Sequence, residues 1–309
     1  MDSQPPRQSL HQEILGAIDS TPSGVIGITP GDSAGIGPEI VRQALDSGKL
    51  DPDFSYRIIG DATGGTPGQP TPETARKALA ALEESAKLAQ SGKIAAVVTG
   101  PVNKHRMQEV GFEFPGQTEF YAARSNTENF AMLLTGGSLT VALVTAHVPL
   151  KDVPALLNEE EIVRVGKLLA EFVALRKTGG VSIAVAGLNP HAGESGALGR
   201  EEIEIIAPAV KKLGPSFHGP VSPDTVFNRA VAGEFDGVLC MYHDQGLIPL
   251  KLHAFDQGVN VTLGLPYVRT SPDHGTAFEI AGTGIARPGS MIAAINLAAE
   301  LVKKRRLKS

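Results

Sequence analysis

Apolar runs rich in β-branched residues alternate along the chain with longer stretches whose apolar positions recur at helical spacing. That alternation predicts an α/β subunit with a mostly parallel sheet covered by helices. Val25 to Thr29, Tyr56 to Ile59 and Ile94 to Val98 read as the first three strands. Met132 to Thr135 and Leu139 to Thr145 read as neighbours joined through Gly136-Gly137, and Val181 to Leu188 and Val238 to Met241 as two more. Pro38 fits the first turn of a helix reaching Leu45, since proline is tolerated there. Pro72 to Ser91 and Glu159 to Leu175 are helical by spacing, the second with Ile162, Val165, Leu168, Leu169 and Phe172 on one face. Glu201 to Leu213 predicts a helix kinked at Pro208, and Gly289 to Lys304 the last one. Asp61 to Pro72 is a Gly/Pro/Thr-dense loop. Met1 to Ser23 reads as a flexible tail with a short helix at Leu10 to Ile18.

Composition narrows the class. Hydrophobic residues at 42% and charged residues at 20%, with 35 Gly and 22 Pro, fit a loop-rich soluble enzyme. A net charge of −5 leaves no electrostatic footprint for nucleic acid. The basic run Lys303-Lys304-Arg305-Arg306 is expected to complete the last helix, where positive charge suits the dipole. One cysteine, Cys240 within an apolar run, excludes an internal disulfide and fits a buried strand position in a cytoplasmic protein. No apolar stretch reaches membrane-spanning length, and no secretory signal is apparent.

Three histidines carry the strongest chemical signal: His147, His191 and His243, each in a polar cluster after an apolar run. Open α/β sheets gather functional residues beyond the carboxyl ends of their strands. Three neutral imidazoles meeting there would hold a divalent cation and leave positions open for substrate. The plainer reading is three separate loop histidines, and repetition of one context weighs against it. Thr29 to Glu39 joins strand to helix through glycines, without the spacing of a dinucleotide fingerprint or a P-loop. It reads equally as a tight packing turn or a ligand-binding loop. Gly116-Gln117-Thr118-Glu119 offers polar groups to a small substrate, with Thr118 the expected N-cap of a helix. Lys251, Asn260 and Arg269 are suited to a phosphate or carboxylate, or to surface ion pairs.

In order, Thr29 to Glu39, Thr99 to Lys104, Gly116 to Phe120, Thr145 to Leu150, Gly187 to Glu194, Tyr242 to Gly246, Asn260 to Pro266 and Arg269 to Ala277 resemble the 4-hydroxythreonine-4-phosphate dehydrogenase family. The similarity runs from about Gly24 to Val302. It implies a two-domain fold like that of the isocitrate and isopropylmalate dehydrogenases, working as a homodimer. A tail of 1–23, a first domain of 24–128 plus 268–309 and a second of 129–267 are the expected division. The resemblance places divalent metal (zinc, cobalt, magnesium or manganese) on His147, His191 and His243. It places substrate contacts on Gln117, Thr118, Asp224, Lys251, Asn260 and Arg269, with Asp224 and Lys251 as candidates for moving the hydroxyl proton. His274 to Gly284 resembles the adenosine-side loop of the decarboxylating dehydrogenases, so His274, Gly275, Thr276, Glu279 and Gly282 are assigned to NAD or NADP.

The implied reaction oxidises 4-phosphooxy-threonine at its secondary hydroxyl and then decarboxylates it to 3-amino-2-oxopropyl phosphate, in pyridoxal phosphate biosynthesis. Two departures bear on this. Gln117 stands where the family usually has histidine, and the loop at Asp61 to Pro72 is shorter than usual. A paralogue acting on phospho-threonate or phospho-erythronate remains open, as do a metal-dependent hydrolase and a non-catalytic ligand-binding protein.

Overall fold

The computed structural model describes residues 24–308, so the tail and its expected short helix lie outside the described residues. Ten strands form one sheet: β1 (Val25–Thr29), β2 (Ser55–Ile58), β3 (Ala96–Thr99), β4 (Ala131–Gly136), β5 (Leu139–Leu143), β6 (Ile183–Ala186), β7 (Phe217–Val221), β8 (Gly237–Cys240), β9 (Val259–Leu263) and β10 (Val268–Pro272). Their spatial order is β2-β1-β3-β10-β9-β4-β5-β8-β6-β7. The first four are mutually parallel, as are the last four. Between them, the β10–β9, β9–β4 and β4–β5 pairs are antiparallel. Three reversals make the two parallel groups run in opposite directions. β8 lies between β5 and β6, so the segments carrying His147, His243 and His191 leave the same edge of three adjacent strands.

Seven longer helices cover the sheet: α1 (Gly37–Asp46), α2 (Pro72–Gln90), α3 (Gln117–Arg124), α4 (Glu159–Arg176), α5 (Ala207–Leu213), α6 (His243–Ala254) and α7 (Gly289–Arg306). Alternation along the strands divides the core. Ile26, Ile28, Val98, Val261 and Val268 pack with α1, α4 and α7 on one face. On the other, Val97 packs with α2 and α3, and Val141, Val238 and Cys240 pack with α6. Cys240 is fully buried, and desolvation pushes its thiol well above the ordinary range. Local chemistry starts the helices where expected. Thr71 and Thr74 form a reciprocal capping box at α2, and Asn158 caps α4 ahead of three glutamates.

The helix expected from Glu201 differs. A π-turn at Glu202–Ile206 precedes α5, and Ala207 N–H bonds back to the Glu202 carbonyl. Pro208 supplies no N–H to continue an ordinary ladder, so the break falls just before it. The basic C-terminal run is engaged within the fold: Lys303 Nζ bonds Asp51 and Asp53, and Arg305 donates to the Leu265 carbonyl. Among the described residues, no helix is long and apolar enough to cross a membrane.

Candidate active site

The first turn of α3 joins two clusters of polar chemistry. On one side lies Arg269, on β10, only 2% exposed. Its Nη2 donates to Thr99 Oγ1 at 2.6 Å and to Gln117 Oε1 at 2.9 Å, and its Nη1 to Thr262 Oγ1 at 3.2 Å. The guanidinium also stands 5.5 Å over the Tyr121 ring. Nε is buried without a partner, and none of the described carboxylates forms an ion pair with this side chain. Desolvation lowers its pKa to about 10, so it remains charged at neutral pH. A buried cation among neutral oxygens is costly unless an anion arrives to complete it.

On the other side, Glu119 Oε1 lies 3.7 Å from His147 Nδ1. Burial opposes ionisation of Glu119, but contact with His147 and the charge of Lys104 outweigh it and lower its pKa. The His147 and His243 rings stand 5.6 Å apart between centroids. Both line a cavity of about 440 Å³ with Tyr242, Asp244, Val148 and Leu150. His243 Nδ1 is 2.6 Å from Asp244 Oδ1, and His191 Nδ1 is 3.7 Å from Asp224 Oδ2. His243 thus has a carboxylate on Nδ1, the usual outer partner of a metal-bound histidine, while His147 and His191 each have one nearby at 3.7 Å.

Two of the three expected ligands come together and the third does not. His147 and His243 are adjacent, whereas His191 is held apart, beside Asp224. Among the described residues, no group of three His, Cys, Asp or Glu side chains is close enough to hold a metal. The reason for His191's placement is local. Residues His191 to Ser195 all have left-handed φ, between 44° and 80°. Only Gly193 among them adopts that region without steric cost. Glu202, 2% exposed, anchors the turn: its Oε1 accepts from the N–H groups of Leu188 and Asn189 at 2.7 Å, and its Oε2 from Asn189 Nδ2 at 3.0 Å.

Other expectations fare differently. Thr118 is not the N-cap of α3. Gly116, in extended backbone, holds that position, and its carbonyl accepts the first helical bond from Phe120. Thr118 is instead buried in the first turn, with its hydroxyl 3.4 Å from Thr262 Oγ1. Gln117 spends both polar ends on protein, since its Nε2 donates to the Gly100 carbonyl at 3.2 Å. Lys251 is ion-paired with Asp273 at 3.0 Å and donates to its carbonyl. Asn260, two residues before Thr262 and on the same strand face, has a buried Oδ1 without a partner. Asp224 is exposed and accepts from Ser222.

The glycine loop after β1 resolves as a packing turn. A Cβ at Gly31, Gly35 or Gly37 would strike the backbone of Pro101, Thr276 or Pro30. Thr276 accepts from Ile36 N–H at 2.9 Å, and Gly282 N–H donates to Glu39 Oε2 at 3.3 Å. The short 61–72 loop wedges between these elements, with Gly68 N–H bonded to Ala34 O and Pro67 packed against Gly282. His274 has a buried, unpartnered Nε2, and burial lowers its pKa. Gly275, Glu279 and Gly282 are exposed. Sequence reasoning missed Thr99, Thr262, Glu119 and Glu202. Thr99 lies just past the strand read at Ile94 to Val98, Thr262 lies in β9, which sequence reasoning did not identify as a strand, and Glu202 sits in a predicted helix.

The fold defines the class. The chain aligns at 19% identity with a β-decarboxylating dehydrogenase from Thermococcus kodakarensis, covering 91% of this chain and 83% of that one with a TM-score of 0.53, a likeness of fold alone. The family profile described as "Pyridoxal phosphate biosynthetic protein PdxA" matches residues 38–298, and the chain belongs to that family. A 4-hydroxythreonine-4-phosphate dehydrogenase of Caulobacter vibrioides is 43% identical, over 91% of this chain and 98% of its own. The crystal structure of the Klebsiella pneumoniae enzyme of that name superposes with a TM-score of 0.77 at 36% identity, over 90% of this chain and 99% of that one.

Proposed function

We propose that this protein is a metal-dependent, NAD(P)-linked dehydrogenase of 4-hydroxythreonine-4-phosphate, acting at the secondary hydroxyl and yielding 3-amino-2-oxopropyl phosphate and carbon dioxide. The observation that carries this reading is the first turn of α3. It places a buried, uncompensated Arg269 on one side and the His147–His243 pair on the other, as an anionic substrate chelating a cation requires.

The donors suit a metal ion. Two adjacent imidazoles with carboxylates nearby are donors that divalent cations accept, and the His147 and His243 rings stand 5.6 Å apart. His147 and His243 would hold the ion, with His191 as the expected third ligand. The loop from His274 to Gly282 would take the adenosine side of the nicotinamide cofactor, for which the orphaned His274 Nε2 is a hydrogen-bonding group. A cation held there would supply Lewis-acid polarisation of the substrate hydroxyl, and a nicotinamide would supply the hydride acceptor. Arg269, Thr118 and Asn260 grip the acid and phosphate. Lys251, paired with Asp273, and Asp224 are the groups that would handle the hydroxyl proton.

The test offers the purified protein 4-hydroxythreonine-4-phosphate, phospho-threonate and phospho-erythronate with metal and either NAD or NADP, following reduced nicotinamide. Turnover of the amino acid phosphate is expected, and its loss in His243→Ala. Turnover of a sugar acid alone would overturn the substrate assignment in favour of the paralogue.

We also propose a homodimer. Ile248, Leu252 and Phe255 are 65%, 88% and 70% exposed at i, i+4 and i+7, an apolar stripe along α6 and its end, the helix that begins at His243. Leu252→Glu is expected to yield a monomer in sedimentation. A dimer of unchanged affinity would place the interface elsewhere.

A further inference from the structure

We propose that Gln117 is a specificity-determining positioning residue: it holds the Arg269 guanidinium without neutralising it, so that the positive charge is left for an anionic group of the ligand. The inference rests on the functional reading above for the identity of that ligand, though not for its charge. Arginine offers only donors, so the group facing Nη2 must be an acceptor. The opposite wall is the Gly100 carbonyl, 3.2 Å from Gln117 Nε2, which requires a donor. A carboxamide meets both demands with its two ends. A carboxylate would satisfy Arg269 but repel the Gly100 carbonyl, and would cancel the charge. An apolar side chain would satisfy neither.

The remaining partners of Arg269 obey the same logic. Thr99 and Thr262 contribute hydroxyls, Tyr121 contributes a ring face, and Nε stays unpartnered. Glu119, two residues along α3, lies beside His147 rather than on the guanidinium. Gln117 is half-buried and Arg269 fully buried. Gln117 therefore acts on the substrate through Arg269, whereas its sequence motif predicts a direct contact.

The proposal ranks three proteins by KM. Q117E, which supplies an internal counter-charge, is expected to raise KM for the phosphorylated substrate about 30-fold with kcat much less affected. Q117M, which frees the guanidinium without neutralising it, is expected to raise KM roughly 5-fold. With Arg269 already replaced by Gln, Q117E is expected to add no further loss, the signature of action through one partner. A second readout needs no turnover: inorganic phosphate is expected to raise the melting temperature of the wild type and not that of Q117E, whose ligand-free melting temperature stays within about 3 °C of wild type. Wild-type KM in Q117E, or a Q117M defect as large as that of Q117E, would overturn the proposal. So would a full Q117E penalty in the Arg269→Gln background, which would mean direct contact. If the protein turns over none of the offered substrates while the phosphate effect is lost in Q117E, the substrate reading fails and this inference stands.

Discussion

Replacing Arg269 with methionine is expected to abolish most activity while leaving the protein as stable as before, or more so. The guanidinium is buried against hydroxyls, an amide and a ring, with no ion-pair partner. An isolated buried charge is a liability to the folded state, and an apolar residue of similar length relieves it. The ligand's anion loses a charge-assisted contact worth about 4 kcal/mol, roughly a thousand-fold in kcat/KM. Thermal unfolding and steady-state kinetics on the one variant check both halves. A marked fall in melting temperature with activity retained would show that Arg269 serves the fold instead of the ligand.

Glu202→Ala is expected to produce the opposite pairing, with stability falling while zinc binding at the His147–His243 pair is retained. Its carboxylate accepts from two backbone N–H groups and one side-chain amide. Orphaning those donors should cost about 3 kcal/mol, lowering the melting temperature by roughly 6 °C. Left-handed backbone at His191, Ala192, Glu194 and Ser195 opposes the turn by about 1–2 kcal/mol per residue, so without Glu202 the segment should relax and carry His191 with it. Calorimetric titration with zinc should show binding no weaker than wild type, because the turn holds His191 apart from the His147–His243 pair. Glu202→Ala melting at the wild-type temperature would mean that the turn is held by other contacts.

These two residues mark where the sequence is readable and where it is not. Ile162, Val165, Leu168, Leu169 and Phe172 announce α4 because helical periodicity is local, and all five are buried as expected. The β4–β5 hairpin was legible through Gly136-Gly137, whereas the antiparallel pairing of β9 with β4 is a long-range choice that no local pattern encodes. Arg269 was visible as a polar residue in an apolar region, but its lack of an ion-pair partner among the described carboxylates was not. Thr99 and Thr262 read as β-formers, and only the fold turns their hydroxyls toward one guanidinium. The histidines were legible by context. What could not be foreseen is the left-handed turn at His191, because non-glycine residues enter that region only when a distant group compels them, here Glu202. Gln117 shows a subtler limit: its motif predicts a substrate contact, while its two hydrogen bonds direct it to Arg269 and Gly100.

Cys240 has a practical bearing on all such work. It is the chain's only cysteine, fully buried on β8 and with its thiol kept protonated by desolvation. Thiol-directed probes act through the thiolate and need access, so the native protein should be silent to them. A single cysteine introduced at an exposed position such as Ile285 would then be the sole attachment point for a fluorophore or spin label. A label there would report whether a nicotinamide nucleotide arrives near the 274–284 loop, as proposed above.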